Sequence, residues 1–383
     1  MRIAQVAPLH ESVPPQKYGG TERVVHFLTE ELVSRGHEVT LFASGDSQTS
    51  AELHACVPRA LRLGQQPVDP TVPETLQLEA VGRQAHRFDI IHFHTGHLHF
   101  PLSSRLGVPH LTTQHGRLDL VDLPELYRVF AEIPLVSISD HQRRPLAAAN
   151  WQATIHHGLP VDRYTLVPDP DDYLVFVGRI APEKRLDRAI AIATATGLPL
   201  RVAAKVDRVD RDYFESAIQP LITGNPLVEF VGEIDDIDKQ EFIGRARALL
   251  FPIDWPEPFG LVMIEAMACG TPVIAWRNGS VPEVMHDGVT GFVVDSHEAA
   301  VAAVEQLVTI DRAGVRALFD TCYTAPRMAD DYERLYGSLS QPRWAGCRWE
   351  KPSMNVFCRP GELQKSQGIS EVAAVASRDG AHD

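Results

Sequence analysis

Apolar positions along the chain recur with two alternating periods. Residues 2–8 (RIAQVAP) form a short β-rich run, and HEVTLFAS forms a second. Between them TERVVHFLTEELVSRG places Val24, Val25, Phe27, Leu28, Leu32 and Val33 at helical spacing. Thr21 is the expected N-cap of that helix and Gly36 its expected C′ residue. The result is a β-loop-α-β unit, the usual opening of a doubly wound parallel sheet. Strand-like runs continue as FDIIHFH, HLTTQHG, LVSIS and QATIHHG, separated by loop or helical text such as PLSSRLG and DHQRRPLAAA.

A second series begins at YLVFVGR. The helix-like LDRAIAIATATG follows it, then the strands LPLRVAAK, LVEFVGE, RALLFPI and TPVIAW, with IDKQEFIGRA and GLVMIEAMA as helices between them. Two successive α/β units of similar size fit this better than one enlarged sheet. Strand character lapses around 157–163, which sets a first domain at 1–160 and a second at 161–325. The segment APRMADDYERLYGSL has Met328, Tyr332, Leu335 and Tyr336 on one stripe and is read as a helix, 326–340, returning to the first domain. Beyond it, 341–383 shows no sustained period and is expected to be a loose tail, although Trp344, Trp349 and Cys358 are unusual for one.

Composition narrows the function. The 383 residues are 44 % hydrophobic and 22 % charged, as in ordinary globular proteins, with a formal charge of −14 that argues against binding along a nucleic acid backbone. A local basic pocket for one phosphorylated ligand stays open. Five cysteines without a CxxC pair suit a reducing compartment and offer no zinc site. The N-terminus starts directly as a strand, and no uncharged apolar run reaches the roughly 18–20 residues of a membrane span. The expected location is cytoplasmic, with docking on a membrane surface left open.

The chemistry concentrates in EPFGLVMIEAMACG, residues 257–270. Gly260 allows a tight turn into a helix starting near Leu261, and helix N-termini seat phosphates. Glu257 precedes that seat and Glu265 lies about two turns in. Carboxylates repel a phosphate but accept hydrogen bonds from hydroxyls, so a diphosphate flanked by two polyhydroxylated groups accounts for both acids. A nucleotide sugar has that form.

The segment EPFGLVMIEAMACGTPVIA resembles the E-x7-E signature of glycosyltransferase family 4 (the group 1 glycosyltransferases), whose GT-B fold faces two Rossmann-like domains across a cleft. The resemblance covers roughly residues 1–340. It implies that Glu257 contacts donor-sugar hydroxyls and Glu265 the ribose, with Phe259, Gly260 and Leu261 supplying backbone donors near the diphosphate. FVGRIAPEKRLDRAI is similar to the family's GR-x4-K pattern, matched by Arg179 and Lys184, which implies two cations on the departing diphosphate. Gly19 and Gly20 in QKYGGTERV resemble the family's cleft glycines near donor phosphates and acceptor; from the local sequence alone a simple turn fits as well. His115 in LTTQHGRLD resembles the family's cleft histidine, which contacts the donor sugar.

Other features resolve less sharply. His92 and His94 share one strand face and could suggest a metal, but no Cys, Asp or Glu completes a familiar ligand set nearby. With Asp89 they resemble the family's D-x-x-H-x-H stretch lining its cleft. Arg143 and Arg144 are read as solvated or as facing an acidic acceptor. VGEIDD, around Gly232 and Glu233, resembles the region that recognises the base, and SVPEVMHDGVTGFVV, with Glu283 and Gly288, looks structural. Asp169–Asp171 and Asp236–Asp238 formally match the DxD of metal-dependent transferases but read as turns and caps. No metal and no cofactor are expected.

The expected function is a retaining, metal-independent glycosyltransferase that moves a sugar from a nucleotide diphosphate sugar to an acceptor hydroxyl on a saccharide, lipid or small molecule. The alternatives are a nucleotide-sugar epimerase or a catalytically inactive sugar-nucleotide-binding protein on the same fold. A phosphorylase needs a longer chain, and a NAD dehydrogenase lacks its GxGxxG after the first strand.

Overall fold

A computed structural model describes residues 1–16, 19–64 and 69–340. The expected tail at 341–383 and Lys17–Tyr18 of the glycine loop lie outside the described residues. Two parallel sheets organise the rest. The first holds β1 (Arg2–Val6), β2 (Glu38–Ser44), β3 (Glu52–Val57), β4 (Ile90–Phe93), β5 (His110–Thr113), β6 (Leu135–Ser137) and β7 (Trp151–Thr154), in the order β3-β2-β1-β4-β5-β6-β7. The second holds β8 (Leu174–Arg179), β9 (Leu200–Lys205), β10 (Val228–Gly232), β11 (Ala248–Phe251), β12 (Val273–Trp276) and β13 (Gly291–Val294), in the order β10-β9-β8-β11-β12-β13.

Sheets covered by helices on both faces favour strands that are apolar throughout. β4, β11 and β12 are buried at every position, and β2 at all but its first. In each sheet the winding reverses once, between β1 and β4 and between β8 and β11. A crevice therefore opens beyond the carboxyl ends of those strands, the usual ligand position in open α/β sheets.

The helix expected after β1 runs Gly20–Ser34. Gly36 sits just beyond it at φ 84, as a C′ glycine should, with its N–H on Val33 O. Thr21 is not the N-cap: the first helical residue is Gly20, Gly19 holds the cap position, and no side chain caps the end. The Glu22 amide of that first turn meets its own carboxylate, and the other first amides have no intrahelical acceptor.

The chain crosses between the sheets twice, side by side. Leu159 N donates to Tyr323 O, and Ala325 N donates to Leu159 O. A Cβ on Gly158 would lie 2.1 Å from Thr324 O, so the close approach of the two crossings requires glycine there. The Ala325–Ser340 helix then packs on the Gly20–Ser34 helix and buries Met328, Tyr332, Leu335 and Tyr336, the stripe seen in the sequence. One apolar cluster runs from Ile3, Ile90 and Leu111 through Leu159 and Tyr323 to Leu249 and Met263. Among the described residues, no helix is long and apolar enough to cross a membrane.

Glu283, read from the sequence as structural, ties the second sheet's side to the first. On the Val281–Val284 helix, its carboxylate accepts the N–H of Asp140 (2.8 and 2.9 Å) and of His141 (3.2 Å), and meets His156 Nε2 at 2.7 Å. Burial pushes this carboxyl up, but His156 and the two amides outweigh it and hold the group below its ordinary 4.5. A depressed native value means the stabilisation is present above 4.5 and is lost as pH falls through the lowered value. Glu283→Gln is expected to cost about 2 kcal/mol at neutral pH, with the difference from wild type closing in acid. Urea denaturation across a pH series checks this; equal stability at pH 7 would contradict it.

Candidate active site

The second domain builds one wall of the crevice from the loops after β8 and β11, the neighbouring strands where the winding reverses. Gly260 takes φ 82, and a Cβ there would lie 2.7 Å from Met263 Cε and 3.3 Å from Phe251. It turns the chain into the Leu261–Ala268 helix, as expected. The first amides of that helix have no intrahelical acceptor, and Leu261 and Val262 line the cleft. Just upstream, Glu257 Oε2 accepts from Lys184 Nζ at 2.5 Å and from Trp255 Nε1 at 3.0 Å. Lys184 Nζ also lies 4.7 Å from the centre of the Trp255 ring, a cation–π contact that fixes the ammonium further.

Glu265 is 1 % exposed. Lys239 Nζ lies 2.6 Å from its Oε1 and 2.5 Å from Oε2, and Arg23, on the first domain's Gly20–Ser34 helix, approaches to 3.7 Å. Burial pushes this carboxyl up, yet Lys239 and Arg23 overcome it and keep the group below the usual carboxylate range. Glu265 is therefore an anion with oxygen lone pairs to spare for hydroxyl donors. Arg179, at the end of β8, is held by Asp210 (2.6 Å) and Glu183 (2.7 Å), and Lys205, at the end of β9, by Asp207 (2.5 Å).

The first domain supplies the facing wall. A Cβ on Gly20 would touch Leu261 Cδ1 at 3.4 Å, so the Gly20–Ser34 and Leu261–Ala268 helices present their N-termini to each other across the gap. A Cβ on Gly19 would lie 2.7 Å from Pro15 Cβ, which makes this turn glycine-dependent. His115 follows β5. Its Nε2 meets His94 Nδ1 at 2.9 Å, its ring stacks on His157 at 5.3 Å, and its Nδ1 is buried without a partner among the described residues. Burial pushes its pKa down to about 3, so the ring is neutral.

All ten residues singled out from the sequence, Gly19, Gly20, His115, Arg179, Lys184, Glu257, Phe259, Gly260, Leu261 and Glu265, line this one cleft of about 440 Å³. Glu233 lines it as well. Asp89 and His92 do not. Asp89 precedes β4 at the end away from the cleft and pairs with Arg2 at 2.6 Å. His92 is buried beneath it, with Nδ1 on Tyr336 Oη and Nε2 on Thr113 Oγ1, both at 2.7 Å. Only His94 of that stretch reaches the site, through His115.

Arg143 pairs with Asp140 at 2.7 Å. Of the DxD pairs, Asp171 donates its N–H to Arg245 O, and Asp238 N donates to Asp235 Oδ1; Asp169, Asp171 and Asp238 are not among the described residues lining the cleft. Arg23, Lys205, Lys239, Trp255 and His157 line the cleft and escaped the sequence reading. Arg23 had one signal: a charged residue set among Val24, Val25 and Phe27, where only 6 % of it stays exposed.

The chain is similar to known proteins over both sheets. Residues 162–316 match the model of the group 1 glycosyl transferases, and residues 18–167 that of glycosyltransferase family 4. The chain is 25 % identical over 361 residues to the D-inositol 3-phosphate glycosyltransferase of Streptomyces scabiei, which covers 79 % of this chain and 81 % of that one. Among solved structures, AviGT4, a glycosyltransferase involved in avilamycin A biosynthesis, superposes with TM-score 0.69 at 25 % identity over 91 % of this chain and 99 % of its own. Anabaena HepE in complex with UDP-glucose does so at 0.67 and 18 %, over 88 % and 100 %. With one family match over each sheet and the GT-B arrangement shared by these structures, the chain belongs to the group 1, family 4 glycosyltransferases.

Proposed function

We propose that this glycosyltransferase takes its sugar from a nucleoside diphosphate sugar held in the cleft and passes it, with retention and without a metal, to an acceptor hydroxyl entering from the first domain. The observation that carries this reading is that Glu257 and Glu265 line one cleft, each paired with a cation that also lines it: Lys184 on Glu257, and Lys239 and Arg23 on Glu265. Two helix N-termini, Lys184, Arg23 and Lys205 converge there, and a diphosphate is the natural filling. Glu265 would take the ribose hydroxyls and Glu257 the donor sugar. Arg179 and Lys184 would help the diphosphate leave, exchanging part of their present carboxylate contacts for phosphate oxygens. HepE, which shares the fold, was crystallised with UDP-glucose, a ligand of this form.

Positive charge from side chains and helix ends would do at the leaving group what a divalent ion does in DxD enzymes. The carboxylates among the described lining residues are Glu233, Glu257 and Glu265, all from the second domain. With no acid among the described residues lining the facing wall to form a covalent intermediate, same-face displacement fits, the leaving diphosphate taking the acceptor's proton. Closure of the walls would keep water from the donor.

Release of nucleoside diphosphate, measured over a panel of donors with and without cell-extract acceptors and with chelator, tests this. Acceptor-dependent release that survives the chelator supports it. Conversion of donor without acceptor would indicate an epimerase, and no release from any donor would contradict the reading. His115→Ala is expected to lower kcat by about 10²-fold while nucleotide affinity stays within a few-fold. Wild-type kcat at saturating acceptor would remove His115 from the mechanism.

A further inference from the structure

Gln5 lies in the middle of β1 with no exposed surface, among Ile3, Ala4 and Val6. A carboxamide there is costly unless both of its ends are bonded. They are: Nε2 donates to Tyr336 Oη at 3.2 Å, and Oε1 meets His94 Nε2 at 2.8 Å. His94 Nδ1 in turn meets His115 Nε2 at 2.9 Å. The Ala325–Ser340 helix is thus wired to the cleft histidine through Gln5 and His94.

Each link constrains the next proton. A neutral imidazole carries one N–H and one bare nitrogen, and deep burial keeps His92, His94 and His115 neutral. The amide oxygen of Gln5 only accepts, so the His94 proton sits on Nε2 and its Nδ1 is bare. His115 must then donate from Nε2, which leaves its Nδ1 as a lone pair. That atom is buried and has no hydrogen-bond partner among the described residues. The other branch takes its sense from the same amide orientation. Tyr336 Oη accepts from Gln5, so its own hydrogen goes to His92 Nδ1; His92 Nε2 donates to Thr113 Oγ1, which donates to Tyr332 Oη at 2.8 Å. A flipped Gln5 amide would reverse every link and turn His115 Nδ1 into a donor. His157, stacked 17° from parallel on His115, holds the ring plane.

We propose that Gln5 is a positioning residue: anchored by Tyr336 and bonded to His94, it fixes His115 with a bare Nδ1, so that the cleft histidine accepts a hydrogen bond from a ligand hydroxyl. That the ligand is a sugar rests on the function proposed above; the proton arrangement does not. The orientation of one buried amide thereby decides that His115 selects a hydroxyl donor over a carbonyl or ether oxygen.

Nitrogen-resolved NMR of the full chain labelled with 15N-histidine tests this without any turnover assay. The His115 signals, identified by their loss in His115→Asn, should show the proton on Nε2. Gln5→Glu, which can only accept toward His94 when ionised, should keep that pattern. Gln5→Met should abolish the fixed tautomer and lower kcat about tenfold, the effect of one lost hydrogen bond, with nucleotide affinity unchanged. If Gln5→Met does not fold, Tyr336→Phe, which frees the amide to flip, should show both tautomers instead. A wild-type His115 protonated on Nδ1, or a His115 spectrum unchanged in Gln5→Met or Tyr336→Phe, would overturn the proposal. The proposed tautomer in a protein that turns over no sugar nucleotide would instead sink the donor reading and leave this inference standing.

Discussion

Lys184→Ala should reduce transfer by about 10²–10³-fold, the usual cost of removing one preorganised charge from a leaving-group site, while the fold persists. The side chain is 16 % exposed and sits at the end of the short Pro182–Lys184 turn, held between Glu257 and the Trp255 ring. Its removal takes away one of the cations proposed to hold the diphosphate and leaves Glu257, among the described residues, with Trp255 Nε1 as its side-chain hydrogen bond. Glu257→Gln separates these effects: it keeps an acceptor for Trp255 and frees Lys184, and should still lose most transfer because the donor sugar's hydroxyls lose their charged partner. Residues that act as a unit are strongly non-additive, so the double variant should be little worse than either single one. Steady-state kinetics with circular dichroism as the fold control checks this. Wild-type kcat/KM in either variant would remove that residue from the chemistry.

Gly279→Ala should be nearly as damaging, although Gly279 belongs to none of the motifs. It sits after β12 at φ 60, and a Cβ there would fall 2.2 Å from Glu257 N and 2.4 Å from Glu257 O. Neither atom is the end of a flexible side chain; both are backbone of the loop that carries the glutamate. That loop is pinned from the same side, with Ser280 N on Glu257 O and Ser280 Oγ on Phe259 O, both at 2.9 Å. An added methyl must push Glu257 aside, and a displacement near 1 Å can cost about 10²-fold in rate. A loss of roughly 2 kcal/mol of stability should accompany it, from the φ and the crowding. Turnover and thermal denaturation of the purified variant read the two effects, and unchanged turnover would show that the loop's exact seat does not matter.

Much of this architecture was legible in the text because central parallel strands are apolar at nearly every position. β11 and β12 stand out for that reason, as does β4 but for His92, whereas β1 and β2 carry Gln5, Thr40 and Ser44 among their apolar residues. The edge strand β3, ELHACV, does not stand out: half-exposed throughout, it mixes Glu52 and His54 into its few apolar residues. The Thr71–Gln84 helix also escaped notice, since its buried face is only Pro73, Gln77 and Val81. Its central residue is polar because Gln77 Nε2 donates to Ala7 O and Phe42 O.

The site divides in the same way. Residues contiguous in sequence, from Glu257 to Glu265 and from Arg179 to Lys184, could be read as a motif. Arg23 and Lys239 could not, because their meaning comes from Glu265, which the fold brings to both. Asp89 misled in the opposite sense. It is close to His94 in sequence, but β4 carries the chain across the sheet between them, so one lies at the far end and the other beside the cleft.

Equilibrium calorimetry on the whole chain, titrated with uridine, guanosine and adenosine diphosphate sugars, bears most directly on the central claim that paired acids and a cationic stretch hold a sugar nucleotide. One donor should bind at a single site, with Glu265→Ala weakening the nucleoside diphosphate itself and Glu257→Gln weakening only the intact donor. Heat from none of them, or equal affinity in Glu265→Ala, would contradict it.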